Sequence, residues 1–255
     1  MCPNVIIAKK SEFRMRYPVG LLCFIALMCP SYSAAATTKT AHVQAAAKGG
    51  KYTYVMFYKS NDSATKRMAT EISSHVAETG AKTTWVSVNV KDRNEAEIIK
   101  RFDASRMPLP AVFGVAPNGA ITGVFRQKVN QQQLANAILT PRYAEMVESL
   151  QNQKIAVVCM MPAQESTTPA GVTALANNPE FKGKLHHVRA YATDPQEQEF
   201  FRRMQVDPNI TLPVVLMFAP PGNHLGTYNA SVDGSELAKR LHSSGKCNCA
   251  KCQKK

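Results

Sequence analysis

Two stretches of this chain, 103 residues apart, carry the same landmarks in the same order, and nothing else in the 255 residues limits the fold as tightly. The first runs from Arg106 through Met107, Leu109 and Pro110 to Pro117, Gly119, Gly123, Phe125 and Leu134. The second runs from Ile210 through Leu212 and Pro213 to Pro220, Gly222, Gly226, Tyr228 and Leu237. Pro110 pairs with Pro213, Pro117 with Pro220, Gly119 with Gly222, Gly123 with Gly226 and Leu134 with Leu237, always at an offset of 103. An offset held without a gap over that span marks a duplicated supersecondary unit. The length suits two domains of ordinary size, and 45% apolar with 19% charged residues suits packed cores.

Local patterns give each repeat the order βαβαββα. Residues 52–58 are aromatic and β-branched, as strands prefer. Ser60 to Ser63 supplies a turn or helix cap, and Met68, Ile72, Val76 and Ala77 form an apolar stripe at helical spacing. A strand is predicted over 83–90, holding the only tryptophan, Trp85, and a short helix over 95–102. Strands over 111–115 and 121–125 flank a Pro-Asn-Gly hairpin, and a helix over 130–139 closes the unit. The second repeat predicts strands over 155–161, 187–192, 214–218 and 225–228, with helices over 167–176, 196–204 and 235–241. Pro169 falls in the first turn of the first of these helices, where proline is tolerated. Tyr143, Met146 and Leu150 predict a helical link between the repeats, ending in a polar stop.

A strand and helix following Phe57, and Met107-Pro-Leu-Pro110 ahead of a strand and hairpin, give the chain its resemblance to a tandem of thioredoxin-like domains. The expected fold is α/β, two domains over 51–145 and 154–243, each a central mixed β-sheet flanked by helices. In that family the proline opening the third strand of this pattern is cis and faces the active-site loop, which the resemblance places at Pro110 and Pro213. The family's Cys-Gly-Pro-Cys motif begins five residues after the aromatic that ends the strand. Counting from Phe57 puts it on Asp62, Ser63, Ala64 and Thr65, with Lys66 at the usual basic position. The 103-residue offset carries it to Glu165, Ser166, Thr167 and Thr168.

Neither set of four contains sulfur. Thiol–disulfide exchange needs a thiolate to attack a disulfide sulfur, so two domains silent in that reaction are expected. A hydroxyl nucleophile would need an adjacent base and an orienting group. The nearest histidine is His75, and Asp62 or Ser63 reads as a helix cap. No catalytic residue is assigned. What the resemblance leaves is a binding or scaffold module that adds an extended peptide as a strand beside the prolines. Met107, Leu109 and Pro110 would line that face in the first domain, and Leu212 and Pro213 in the second. The alternative is that Met107 and Leu109 are buried strand-entry residues.

Arg14 and Arg16 precede an apolar run over 19–29, which leads to an Ala-x-Ala site at Ala34 to Ala36. These are the parts of a secretory signal peptide. The run falls short of the roughly 20 residues that cross a bilayer, so an uncleaved anchor is the weaker alternative. Removal of residues 1–36 is expected, with Met15 as a candidate start, no stable membrane span afterwards, and a flexible leader over the small and polar residues 37–50. The protein is then exported, periplasmic or secreted. Its net charge of +13 becomes about +10, because residues 1–36 carry four basic residues and one acid. That charge favours anionic partners at long range, but no nucleic-acid motif accompanies it. A protein or peptide is the expected partner.

Of seven cysteines, Cys2, Cys23 and Cys29 leave with the signal segment. Cys159, in an apolar strand, reads as a small buried hydrophobe. The tail over 244–255 holds Cys247, Cys249 and Cys252 among four lysines, which favour the thiolate form. Three thiolates can bind a soft ion such as Cu(I), or zinc with an outside ligand such as His242. Equally, two can pair and leave the third for an intermolecular disulfide. A thiol–disulfide oxidoreductase working through this tail is therefore the rival to the binding module.

Overall fold

Within the stretch expected to form a flexible leader, residues 39–48 are helical. In the computed structural model, which describes residues 38–245, helix α1 (Lys39–Lys48) opens the described chain. Two contacts account for it. Val43 is buried in the core, and the Lys39 amide donates to both carboxylate oxygens of Glu95 at 3.1 and 3.0 Å. That carboxylate satisfies a donor left over at the helix start and complements its dipole. The expected signal peptide and the three tail cysteines lie outside the described residues.

After α1 come β1 (Tyr52–Tyr58), α2 (Ser63–Thr79), β2 (Thr83–Asn89), α3 (Ala96–Arg101), β3 (Ala111–Val115), β4 (Ile121–Arg126) and α4 (Gln131–Asn136). The second repeat supplies α5 (Pro141–Gln151), β5 (Ile155–Met161), α6 (Ala170–Asn177), β6 (Leu185–Tyr191), α7 (Gln198–Met204), β7 (Val214–Ala219), β8 (Asn223–Asn229) and α8 (Gly234–Ser243). The two sheets have strand orders β2-β1-β3-β4 and β6-β5-β7-β8. Each is mixed: β1 runs parallel to β2 and antiparallel to β3, and β5 relates to β6 and β7 in the same way. The fold is the expected tandem of thioredoxin-like α/β domains.

Even the irregularities repeat. The strand register slips between Gly114 and Val115 and again between Met217 and Phe218, 103 residues on. Gly123 and Gly226 each lie under an aromatic ring of their own strand. A Cβ at either would come within 2.7 Å of Phe125 or 2.6 Å of Tyr228.

Strand alternation gives each sheet two apolar faces. Val55 and Phe57 face α1 and α3, through Val43, Ile98, Ile99 and Phe102. Tyr54 and Met56 face α2 and α4, through Met68, Ile72 and Leu134. In the second sheet Val157 and Cys159 pack under α6 and α8, while Val158 and Met160 pack with α5 and α7.

Helix α5 fills the stretch between the two expected domains. Beyond Tyr143, Met146 and Leu150, its residues Ala144, Val147, Ser149 and Gln151 are also buried. Thr140 caps it and Pro141 takes its first turn, so the helix belongs to the second repeat, as α1 belongs to the first. One apolar cluster runs from Tyr52, Ala116 and Ala120 of the first repeat through α5 to Phe200 and Phe201 of the second. The expected polar stop is a tie as well. Gln151 accepts from the Ile121 amide at 3.0 Å and donates to the Ile121 carbonyl at 2.7 Å, occupying part of the β4 edge.

Candidate functional site

A four-residue loop, 59–62, carries the chain from β1 into α2 and ends in the helix cap. Asp62 Oδ1 accepts from the Thr65 amide at 2.9 Å, and Ser60 donates its hydroxyl to Oδ2 at 2.8 Å. These hydrogen bonds, the Thr65 amide foremost, hold the Asp62 carboxyl below its ordinary range. The first position of the matched redox motif is thus an anionic cap.

The facing wall comes from a 3-10 turn, Ala104–Arg106, and the entry to β3. The Leu109–Pro110 peptide is cis, Pro110 is buried, and Met107 and Leu109 are half-buried against the first-domain core. The Pro110 carbonyl accepts from the Gln127 amide at 2.7 Å. The backbone of Met107 and Leu109 makes no hydrogen bond among the described residues. Between the walls lies a cleft of about 400 Å³ lined by Lys59, Asp62, Thr65, Met107, Leu109 and Pro110, among others. The structure therefore gathers five of the sequence-derived positions in one place and leaves Ser63 and Ala64 outside the cleft lining. His75 is remote from it, buried edge-on against Tyr54 with its Nε2 unpartnered. What the cleft offers is an apolar wall, a carboxylate, an ammonium group and unpaired backbone, a set suited to recognition.

A second hollow, of about 520 Å³, shares Lys59, Ser60 and Thr65 with the cleft and extends between α2 and β2 to Trp85. Sequence reasoning missed it. The one available signal was strand parity: Met56 and Tyr58 share the α2 side, and the parallel register sets Ser87 and Asn89 beside them.

The second repeat does not build the same cleft. Helix α6 begins at Ala170, later than predicted, with Pro169 at its cap after an eight-residue loop. Glu165, Ser166, Thr167 and Thr168 therefore sit in that loop, not on a helical first turn. The Leu212–Pro213 peptide is not cis, which corrects the expectation for Pro213. The second cis bond among the described residues is Pro220–Pro221, in the β7–β8 turn. With the helix start drawn back, Pro213 is only half-buried and Leu212 is 67% exposed.

Cys159 is fully buried, its sulfur 3.2 Å from His187 Nε2. Burial pushes the thiol up to about 12 and also pulls the His187 imidazole down, the reverse of an activated pair. His242 Nε2 lies 3.3 Å from Glu180. Among the described residues no group of three or more His, Cys, Asp or Glu could hold a metal ion, and no helix is long and apolar enough to cross a membrane.

No family model matches the sequence, and no curated protein matches it. Solved structures resemble it at low identity. Human ERp44 in its zinc-bound form is 12% identical over 82% of this chain and 60% of its own, with a TM-score of 0.37. The first two thioredoxin domains of Naumovozyma dairenensis Eps1p are 10% identical over 83% of this chain and 97% of their own, at 0.29. The germline-specific thioredoxin Deadhead of Drosophila melanogaster is 16% identical over 39% of this chain and 90% of its own, at 0.31. These likenesses concern the fold and carry nothing about activity.

Proposed function

We propose that this protein is exported, holds an extended segment of a protein partner in the Pro110 cleft, and exchanges no disulfide at either domain. The make-up of the cleft carries this reading. An unpaired backbone stretch at Met107 and Leu109 lies beside apolar side chains, opposite a helix start whose motif positions hold Asp62 and Thr65 in place of thiols. Strand addition uses such a stretch for affinity and the neighbouring side-chain pockets for selection. The second domain then serves as scaffold, since Leu212 and Pro213 lack an enclosing helix start.

The test uses an unfolded protein, reduced and carboxymethylated α-lactalbumin, as probe. Binding should slow amide exchange at Leu109, and Leu109→Asp should weaken it about tenfold or more, while Leu212→Asp leaves it unchanged. Unprotected Leu109 amides, or equal binding by Leu109→Asp, would sink the reading. For the redox half, a variant with Cys247, Cys249 and Cys252 all replaced by Ser should reduce no insulin disulfides. Reduction by that variant would contradict silent domains. Activity in the full chain that vanishes in the variant would instead assign the chemistry to the tail.

A further inference from the structure

The hollow between α2 and β2 has a composition of its own. Buried Met56 and Thr65 lie at its base, half-buried Trp85 stands in its wall, and the exposed Lys59 and Lys66 reach its rim. No Asp or Glu lines it. The nearby Asp62 lines the other cleft, where Ser60 and the Thr65 amide hold it. Neither Lys59 nor Lys66 makes an ion pair among the described residues. Two ammonium groups above an aromatic wall, with no carboxylate in the lining, complement an anion carried on an apolar stem. The stem would lie against Trp85 and Met56, and the charge between the lysines.

We infer that this hollow is a side-chain subsite that takes an aspartate or glutamate of the segment bound at Pro110, so that the partner presents an acidic extended peptide. This rests on the binding reading given above. Lys59, Ser60 and Thr65 belong to both hollows, so a chain lying in one meets the other without a break. The excess of 31 Lys and Arg over 18 Asp and Glu draws the same class of partner from a distance.

Trp85 is the only tryptophan, so its fluorescence reports on this hollow alone. The probes are two short capped peptides of Leu, Val and Ser, identical except for a central Glu or Gln. The Glu peptide should bind roughly fivefold tighter, as two exposed ion pairs allow, and shift Trp85 emission. That advantage should fade at about 1 M salt, where the screening length is about 3 Å. Lys66→Glu, a change at an exposed position, should erase the preference without altering the melting temperature. Equal affinity for the two peptides with Trp85 unmoved, and both lost in Leu109→Asp, would overturn the subsite and keep the cleft. Failure of both peptides to bind would overturn the subsite and the cleft together. A Trp85 response to free N-acetylglutamate with no gain for the Glu peptide would make the hollow a small-anion site, and the peptide subsite would fall.

Discussion

Glu95 and Glu197 do the same work in the two repeats: each sends a buried carboxylate to the first amide of the repeat's leading helix. Glu197 Oε1 accepts from the Arg142 amide at 2.9 Å, while its other oxygen is buried without a partner. Burial raises the Glu197 carboxyl above its ordinary 4.5, outweighing the opposing hydrogen bonds from Thr140 and the Arg142 amide. A carboxyl raised on folding holds its proton better in the folded state. Stability is therefore lost as pH rises through the window above 4.5 and recovered below it. Glu197→Gln keeps an acceptor for Arg142 and removes the charge. It should be at least as stable as the parent at about pH 7, by up to about 1 kcal/mol, with a flatter stability profile from there downward. Glu197→Ala strands the Arg142 amide and should cost about 1–3 kcal/mol. Urea unfolding across that pH range measures both, and a Gln variant clearly weaker than the parent at neutral pH would contradict the account.

Helix pairing shows where the repeats diverged. A Cβ on Gly171 would stand 2.0 Å from the Val232 carbonyl, and one on Gly234 would stand 2.9 Å from the Ala174 Cβ, so α6 and α8 meet in a close crossing. At the matching positions the first repeat has Met68 and Gln131, and Gln131 donates instead to the Glu71 carbonyl at 2.9 Å. Gly171→Ala drives a methyl into backbone and should cost about 3 kcal/mol or more, read as a fall in the unfolding midpoint. Replacing the three tail cysteines by Ser should leave that midpoint within about 0.5 kcal/mol and remove any metal or mixed disulfide the chain carries. A larger shift would show the tail docking on the folded body. The strands were legible because their aromatic and β-branched runs stand between clear turn residues. Helix α1 was not legible, since its fixing contacts, Glu95 and the pocket for Val43, lie far along the chain. The cleft followed from the 103-residue offset only where the loop length was kept, and Pro169 changed it in the second repeat. The second hollow drew its lining from two strands and a helix, a set of residues that no linear pattern groups.

At the scale of the molecule, the two halves share apolar contacts and polar ties. Within the first half, just ahead of α5, Tyr52 donates its hydroxyl to the Leu139 carbonyl at 2.7 Å, and burial raises its pKa to about 12. Arg203 of α7 donates to the Asn136 carbonyl at 3.1 Å and to Glu199 at 2.7 Å, with its guanidinium over the Tyr143 ring. Unfolding followed by Trp85 fluorescence, which reports the first repeat, and by near-ultraviolet dichroism should therefore coincide in one transition. Two separated transitions would show halves that fold independently. A chain ended before Pro141 would bare Tyr52, Ala116 and Ala120 and should be markedly less stable than the same residues in the intact protein. Helix α5 thus leaves no slack between the halves. Tethered modules gain avidity from a linker that searches space, whereas this molecule is a fixed calliper, and a partner that touches both ends must already match its gauge.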